Sequence, residues 1–163
     1  MTANNELEIQ SAWETFNDLI PESPRPRVLE ASCQNGKALQ QWIHKGWEAE
    51  GFASSVEAAK SARLSSGAWV WKVDYHFLKL KENFYDGVWS SSLFEGLSPV
   101  ACKRVITLVY EALKPSGFLG LVFDVSDYNE HDVSSLIKQS GFSLIKTGKS
   151  IANLTKRAIY AQK

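Results

Sequence analysis

Stretches with strand character and stretches with helix character alternate along most of this sequence, and two strand-like stretches then close it with no helix between them. Alternation requires a parallel sheet, because each strand must be returned to the same end by a crossover. Right-handed crossovers set helices on both faces. The two adjacent closing strands require an antiparallel pairing. The predicted class is therefore α/β: a seven-stranded, mostly parallel sheet with helices on both faces and the last strand antiparallel. "FLGLVFD", Phe118 to Asp124, supports this, being apolar throughout as in a strand buried on both faces.

"PESPRPR", Pro21 to Arg27, is the one clear linker, since its three prolines stop a helix and deliver the chain extended. It divides an N-terminal helix and linker, 1–25, from the α/β unit, 26–163. Leu7, Ile9, Trp13, Phe16, Leu19 and Ile20 give that first helix its apolar side. Strands are predicted at Arg27 to Ala31, in "WEAEGFA", in "AWVWKVD", in "YDGVWSSS", in "FLGLVFD", in "FSLIKT" and in "RAIYAQ". Helices are predicted from Lys37 to His44, stopped by Gly46, and over "SSVEAAKSARL", whose serines cap free amides. Ser98-Pro99 opens a third, to about Lys114, because proline suits a first helical turn. A fourth runs from Glu130 to Ser140, stopped by Gly141. The connection from Gly148 to Lys156 is long for a hairpin and is read as a functional flap.

At 163 residues, 44% apolar and 22% charged, the chain suits one folded domain. Lys+Arg and Asp+Glu both number 18, which removes any bulk electrostatic case for nucleic acid or an anionic membrane. Cys33 and Cys102 form no metal-ligand or redox spacing. Without a signal-like start or a bilayer-length apolar run, the expected setting is reducing and cytoplasmic. Six tryptophans are many for this length, and an exposed cluster of them would mark a partner or homo-oligomer surface.

"RVLEASCQNGKAL", Arg27 to Leu39, is a strand, a turn and a helix, the layout of many nucleotide sites, but with Gly36 as its one glycine. Together with "YDGVWSS" (Tyr85 to Ser91), "LKPSGFLGL" (Leu113 to Leu121) and "SGFSLI" (Ser140 to Ile145), it resembles the class I S-adenosylmethionine-dependent methyltransferases. Motif I of that family reads like V-L-D-x-G-x-G-x-G, here "VLEASCQNG". The resemblance implies a sheet that carries S-adenosylmethionine across the carboxyl ends of its first strands. It places Glu30 near the cofactor's ammonium and Ser32, Gln34 and Gly36 at the three glycine positions. Ala53 falls where the family has an acid for the ribose hydroxyls, with Ser54 beside it. Loss of charged hydrogen bonds worth about 2–3 kcal/mol would weaken binding roughly 30- to 150-fold. Asp74 matches the contact to the adenine amino group, Tyr75 lies against the base, and Ser90 and Ser91 line the sulfonium side.

Methyl transfer from a sulfonium is an in-line displacement, so the protein's tasks are alignment and electrostatics, and no compact catalytic motif is expected. Glu95, Asp127, Tyr128 and His131 are the acceptor-side candidates, each set against a bland reading as a solvated loop residue. Two functions remain open at this level. One is a methyltransferase for a small-molecule or peptide-like acceptor; the other is an inactive methyltransferase-like domain serving as a binding or scaffolding module. A nicotinamide dehydrogenase is weaker, because it would also want an acid near position 53.

Overall fold

The computed structural model describes residues 3–149 and 155–163, so the centre of the predicted flap, 150–154, lies outside the described residues. Helix α1 (Ala3–Leu19) precedes β1 (Arg27–Ala31), α2 (Lys37–His44), β2 (Glu48–Ala53), α3 (Val56–Ser66) and β3 (Trp69–Lys72). Then follow β4 (Tyr85–Ser90), α4 (Pro99–Ala112), β5 (Leu113–Asp124), α5 (Glu130–Gln139), β6 (Ser143–Lys149) and β7 (Lys156–Gln162). The seven strands lie in the order β3-β2-β1-β4-β5-β7-β6. Strand β7 is antiparallel to both β5 and β6, and the other pairings are parallel.

Local chemistry sets the element boundaries. Ser55 and Ser98 cap α3 and α4 by accepting the N–H groups of Ala58 and Ala101, and Pro99 takes the first turn of α4. Gly46, Gly67 and Gly141 have positive φ after α2, α3 and α5. One boundary differs from expectation: α4 stops at Ala112, and Leu113 to Ser116 join β5. Pro115 cannot continue a helix and disfavours helical backbone at Lys114, while fully buried Leu113 pairs with Tyr85.

Each face of the sheet has its own core. Trp13 and Phe16 of α1, Leu39 and Trp42 of α2, and Ala59 and Ala62 of α3 pack with Val28, Val70 and Trp89 on one face. Val105 and Ile106 of α4 and Val133 and Ile137 of α5 pack with Leu29, Phe52, Val88 and Ile159 on the other. Gly120 allows α1 to lie close, because a Cβ there would stand 2.6 Å from Phe16 and 2.8 Å from Trp89. Trp69 and Trp71 share a face of β3 as expected, but Trp71 packs beside Phe52 at 5.9 Å while Trp69 stays 63% exposed. Trp13, Trp42 and Trp89 are core residues, so most of the tryptophan excess serves packing.

Candidate functional site

The strand order reverses between β1 and β4, and open α/β sheets bind ligands at that point, outside the carboxyl ends of the strands. The walls there are the turn after β1, the loop from Ser91 to Ser98 after β4, and the residues after β3. Ser32 has φ 59, the left-handed backbone for which glycine is the usual choice. Three hydrogen bonds hold the turn in place. Ser90 Oγ donates to the Ala31 carbonyl at 2.5 Å, Ser92 Oγ to the Ser32 carbonyl at 2.8 Å, and the Cys33 N–H to the Phe52 carbonyl at 2.8 Å. The Cys33 thiol is buried and pushed up out of the reactive range by that burial, which makes it a packing group. Gly36 has φ 72 and packs against α3, where a Cβ would meet the Ala62 carbonyl at 2.6 Å.

Glu30 is the penultimate residue of β1 and is 7% exposed, with the backbone of Leu39 in the first turn of α2 offsetting only part of its burial. Burial pushes its carboxyl up to about 7. Its Oε2 is buried and has no hydrogen-bond partner among the described residues. Glu30, Gln34, Ser91 and Trp13 of α1 line a half-open pocket of about 70 Å³.

One side-chain strut crosses the crevice: Gln34 Nε2 donates to Glu95 Oε2 at 3.2 Å, joining the β1 turn to the β4 loop. The Tyr75 ring stands edge-on to Phe52 at 6.0 Å, and burial raises its phenol. Beyond Tyr75, a hollow of about 420 Å³ is lined by Ser54, Asp74, Tyr75, His76, Leu97 and Ser98. Asp74 is exposed there, with Oδ1 accepting the His76 N–H at 2.9 Å.

Two of the predicted binding side chains are not open to this crevice. Ala53 is fully enclosed in the core with Ala59 and Ala62, and Ser90 is fully buried with its hydroxyl committed to Ala31. Ala53 packs with residues of α3, and Ser90 is held by its hydrogen bond at the end of β1. Of the acceptor-side candidates, Glu95 and Tyr128 are brought together. The Tyr128 hydroxyl donates to the Phe94 carbonyl, tying the loop after β5 to the loop after β4, and the charge of Glu95 helps to raise that phenol after burial does. Asp127 and His131 are exposed, Asp127 accepting from Ser126 and the His131 N–H bonding to Asn129 in the cap of α5. Sequence reasoning missed Trp13, Ser92 and the Gln10–Gln41 pair between α1 and α2, because none of them belongs to a local motif. Among the described residues, no cluster of His, Cys, Asp and Glu is placed to hold a metal ion. No helix among them is long and apolar enough to cross a membrane.

No family model matches the chain, and no curated protein matches it. Solved structures do match. A TehB-like S-adenosylmethionine-dependent methyltransferase from Corynebacterium glutamicum superposes with a TM-score of 0.80 at 15% identity, covering 93% of this chain and 87% of that one. The 1,6-didemethyltoxoflavin-N1-methyltransferase of Burkholderia thailandensis, with bound 1,6-didemethyltoxoflavin and S-adenosylhomocysteine, gives 0.79 at 16% identity, covering 96% and 78%. The [4+2]-cyclase SpnF gives 0.76 at 14% identity, covering 94% and 80%. These likenesses and the strand order define the class: the chain has the fold of the class I S-adenosylmethionine-dependent methyltransferases.

Proposed function

We propose that this protein is an S-adenosylmethionine-dependent methyltransferase acting on a small-molecule or peptide-like acceptor. The observation that carries the reading is the buried Glu30 carboxylate oxygen without a partner, at the switch point of a methyltransferase fold. Such an oxygen is costly unless a cation or donor meets it, and the cofactor's ammonium is that group. Asp74 fits an adenine amino group, being exposed beside the larger hollow. Ala53 fits nothing polar, so Ser54 is the residue left to face the ribose.

When bound, the cofactor supplies an activated methyl group. Everything else falls to the chain's own side chains. Glu30 holds charge at one end and Asp74 takes a donor at the other. Gln34 must swing from Glu95 to open the crevice, which frees Glu95 to take a proton from an acceptor. The B. thailandensis neighbour binds 1,6-didemethyltoxoflavin, which supports a small-molecule acceptor here.

The strut from Gln34 to Glu95 is also the observation that favours the second reading, a non-catalytic binding module, because it spans the crevice as it stands. Turnover separates the two. With labelled S-adenosylmethionine and a mixed pool of small molecules and peptides, the enzyme reading expects label in a product together with S-adenosylhomocysteine. Binding without any product across the pool would favour the module.

A further inference from the structure

Gln34 and Glu95 meet across the crevice with both residues exposed, and the backbone behind each is fixed. On one wall, the Cys33 N–H is bonded to the Phe52 carbonyl and the Asn35 carbonyl accepts the Ser65 hydroxyl, so the residue on each side of Gln34 is held. On the other wall, the Glu95 N–H donates to the Ser92 carbonyl at 3.2 Å. The Leu97 N–H and the Tyr128 hydroxyl both donate to the Phe94 carbonyl beside it. The contact therefore breaks by rotation of two side chains, in nanoseconds or less, with no movement of either wall. Gln34 also lies outside the left-handed region that Ser32 and Gly36 occupy, so its backbone does not require glycine and the amide sits there without strain.

Position gives the contact its consequence. Gln34 lines the half-open pocket with Glu30, while Gly96 and Leu97, which follow Glu95, line the hollow with Asp74. A ligand reaching from Glu30 to Asp74 passes between the same two walls. The turn does not need the contact for support, because Ser90, Ser92 and Cys33 already hold it. A hydrogen bond open to water has a small net strength, enough to favour the closed form by roughly three- to tenfold. That is too little to set the fold and enough to set how often the crevice is open.

We infer that the Gln34–Glu95 contact is an autoinhibitory gate: Gln34 holds the crevice closed in the free protein and is no part of the cradle that grips the ligand. This rests on the cofactor reading above and adds regulation of the same site. Affinity for a ligand that needs the open form is reduced by the open fraction, so Gln34→Ala tightens binding of S-adenosylhomocysteine by roughly three- to tenfold. Glu95→Ala does the same, and the double variant gains nothing further, because both substitutions remove one contact. The gain lies in the association rate, with dissociation unchanged, since the gate acts before the ligand arrives. In the free protein, the Gln34 side-chain amide resonances shift on Glu95→Ala. Binding confined to the variants would support the gate in its strongest form. An unchanged affinity in Gln34→Ala would overturn the inference, and a weakened one would overturn it by making Gln34 a ligand contact. Gains that add in the double variant, or Gln34 amide resonances unmoved by Glu95→Ala, would also overturn it while the cofactor reading stands. Absence of binding in the unmodified protein and in all three variants would end the cofactor reading and this one with it.

Discussion

Gly36→Ala is expected to destabilise the protein by about 2–5 kcal/mol, measured as a fall in the midpoint of chemical denaturation. Two costs add. The backbone at Gly36 has φ 72, which a side-chain-bearing residue adopts at about 1–2 kcal/mol. The new Cβ would also stand 2.6 Å from the Ala62 carbonyl and 2.9 Å from its Cα. Both are backbone-anchored atoms of α3, so they cannot yield as a flexible side chain would, and the overpacking adds about 1–3 kcal/mol. The Ser65 hydroxyl donates to the Asn35 carbonyl at the same contact, so the turn would lose its tie to α3 as well. A loss below about 1 kcal/mol would mean that this packing is not as described.

The second large effect concerns Glu30, and it has a direction in pH. The carboxyl is raised to about 7 by burial, above its unfolded value, so the neutral form is the one the fold accommodates. Its stabilising contribution is full below the unfolded carboxylate range and is lost as pH rises through about 7. From below the unfolded carboxylate range up to mildly alkaline solution the protein should lose about 3 kcal/mol that Glu30→Gln does not lose. Glutamine is close to glutamate in shape and carries no charge, so the variant isolates the ionisation. Parallel pH profiles for the two proteins would show that Glu30 is not enclosed. A bound ammonium reverses the balance by favouring the carboxylate, so an aminated ligand should bind more tightly as pH rises through the same range and release a proton on binding below it.

The sequence carries the fold more fully than the site, for a physical reason. The mostly parallel sheet and the antiparallel ending follow from hydrophobic periodicity and crossover handedness, which are local and chiral, and "FLGLVFD" and the Ser98-Pro99 cap are legible for that reason. Glu30 and Gly36 are legible too, because a strand end and a left-handed turn each need particular chemistry. The role of Gln34 is not: whether an amide fills a cradle or reaches across it depends on Glu95, which lies far along the chain. Ser90 and Ser92 read alike in "SSS", yet both lock the β1 turn rather than face a ligand. The enclosure of Ala53 likewise depends on how α3 packs against the sheet.

Whether an adenosyl ligand enters this crevice is measured most directly by calorimetric titration of the full chain with S-adenosylhomocysteine, below neutral pH, in two buffers of different ionisation heat. The account predicts binding in the micromolar range, with a buffer-dependent heat that reports proton release as Glu30 becomes charged. No heat up to millimolar ligand, at either acidic or alkaline pH, would contradict it and leave the fold as a scaffold.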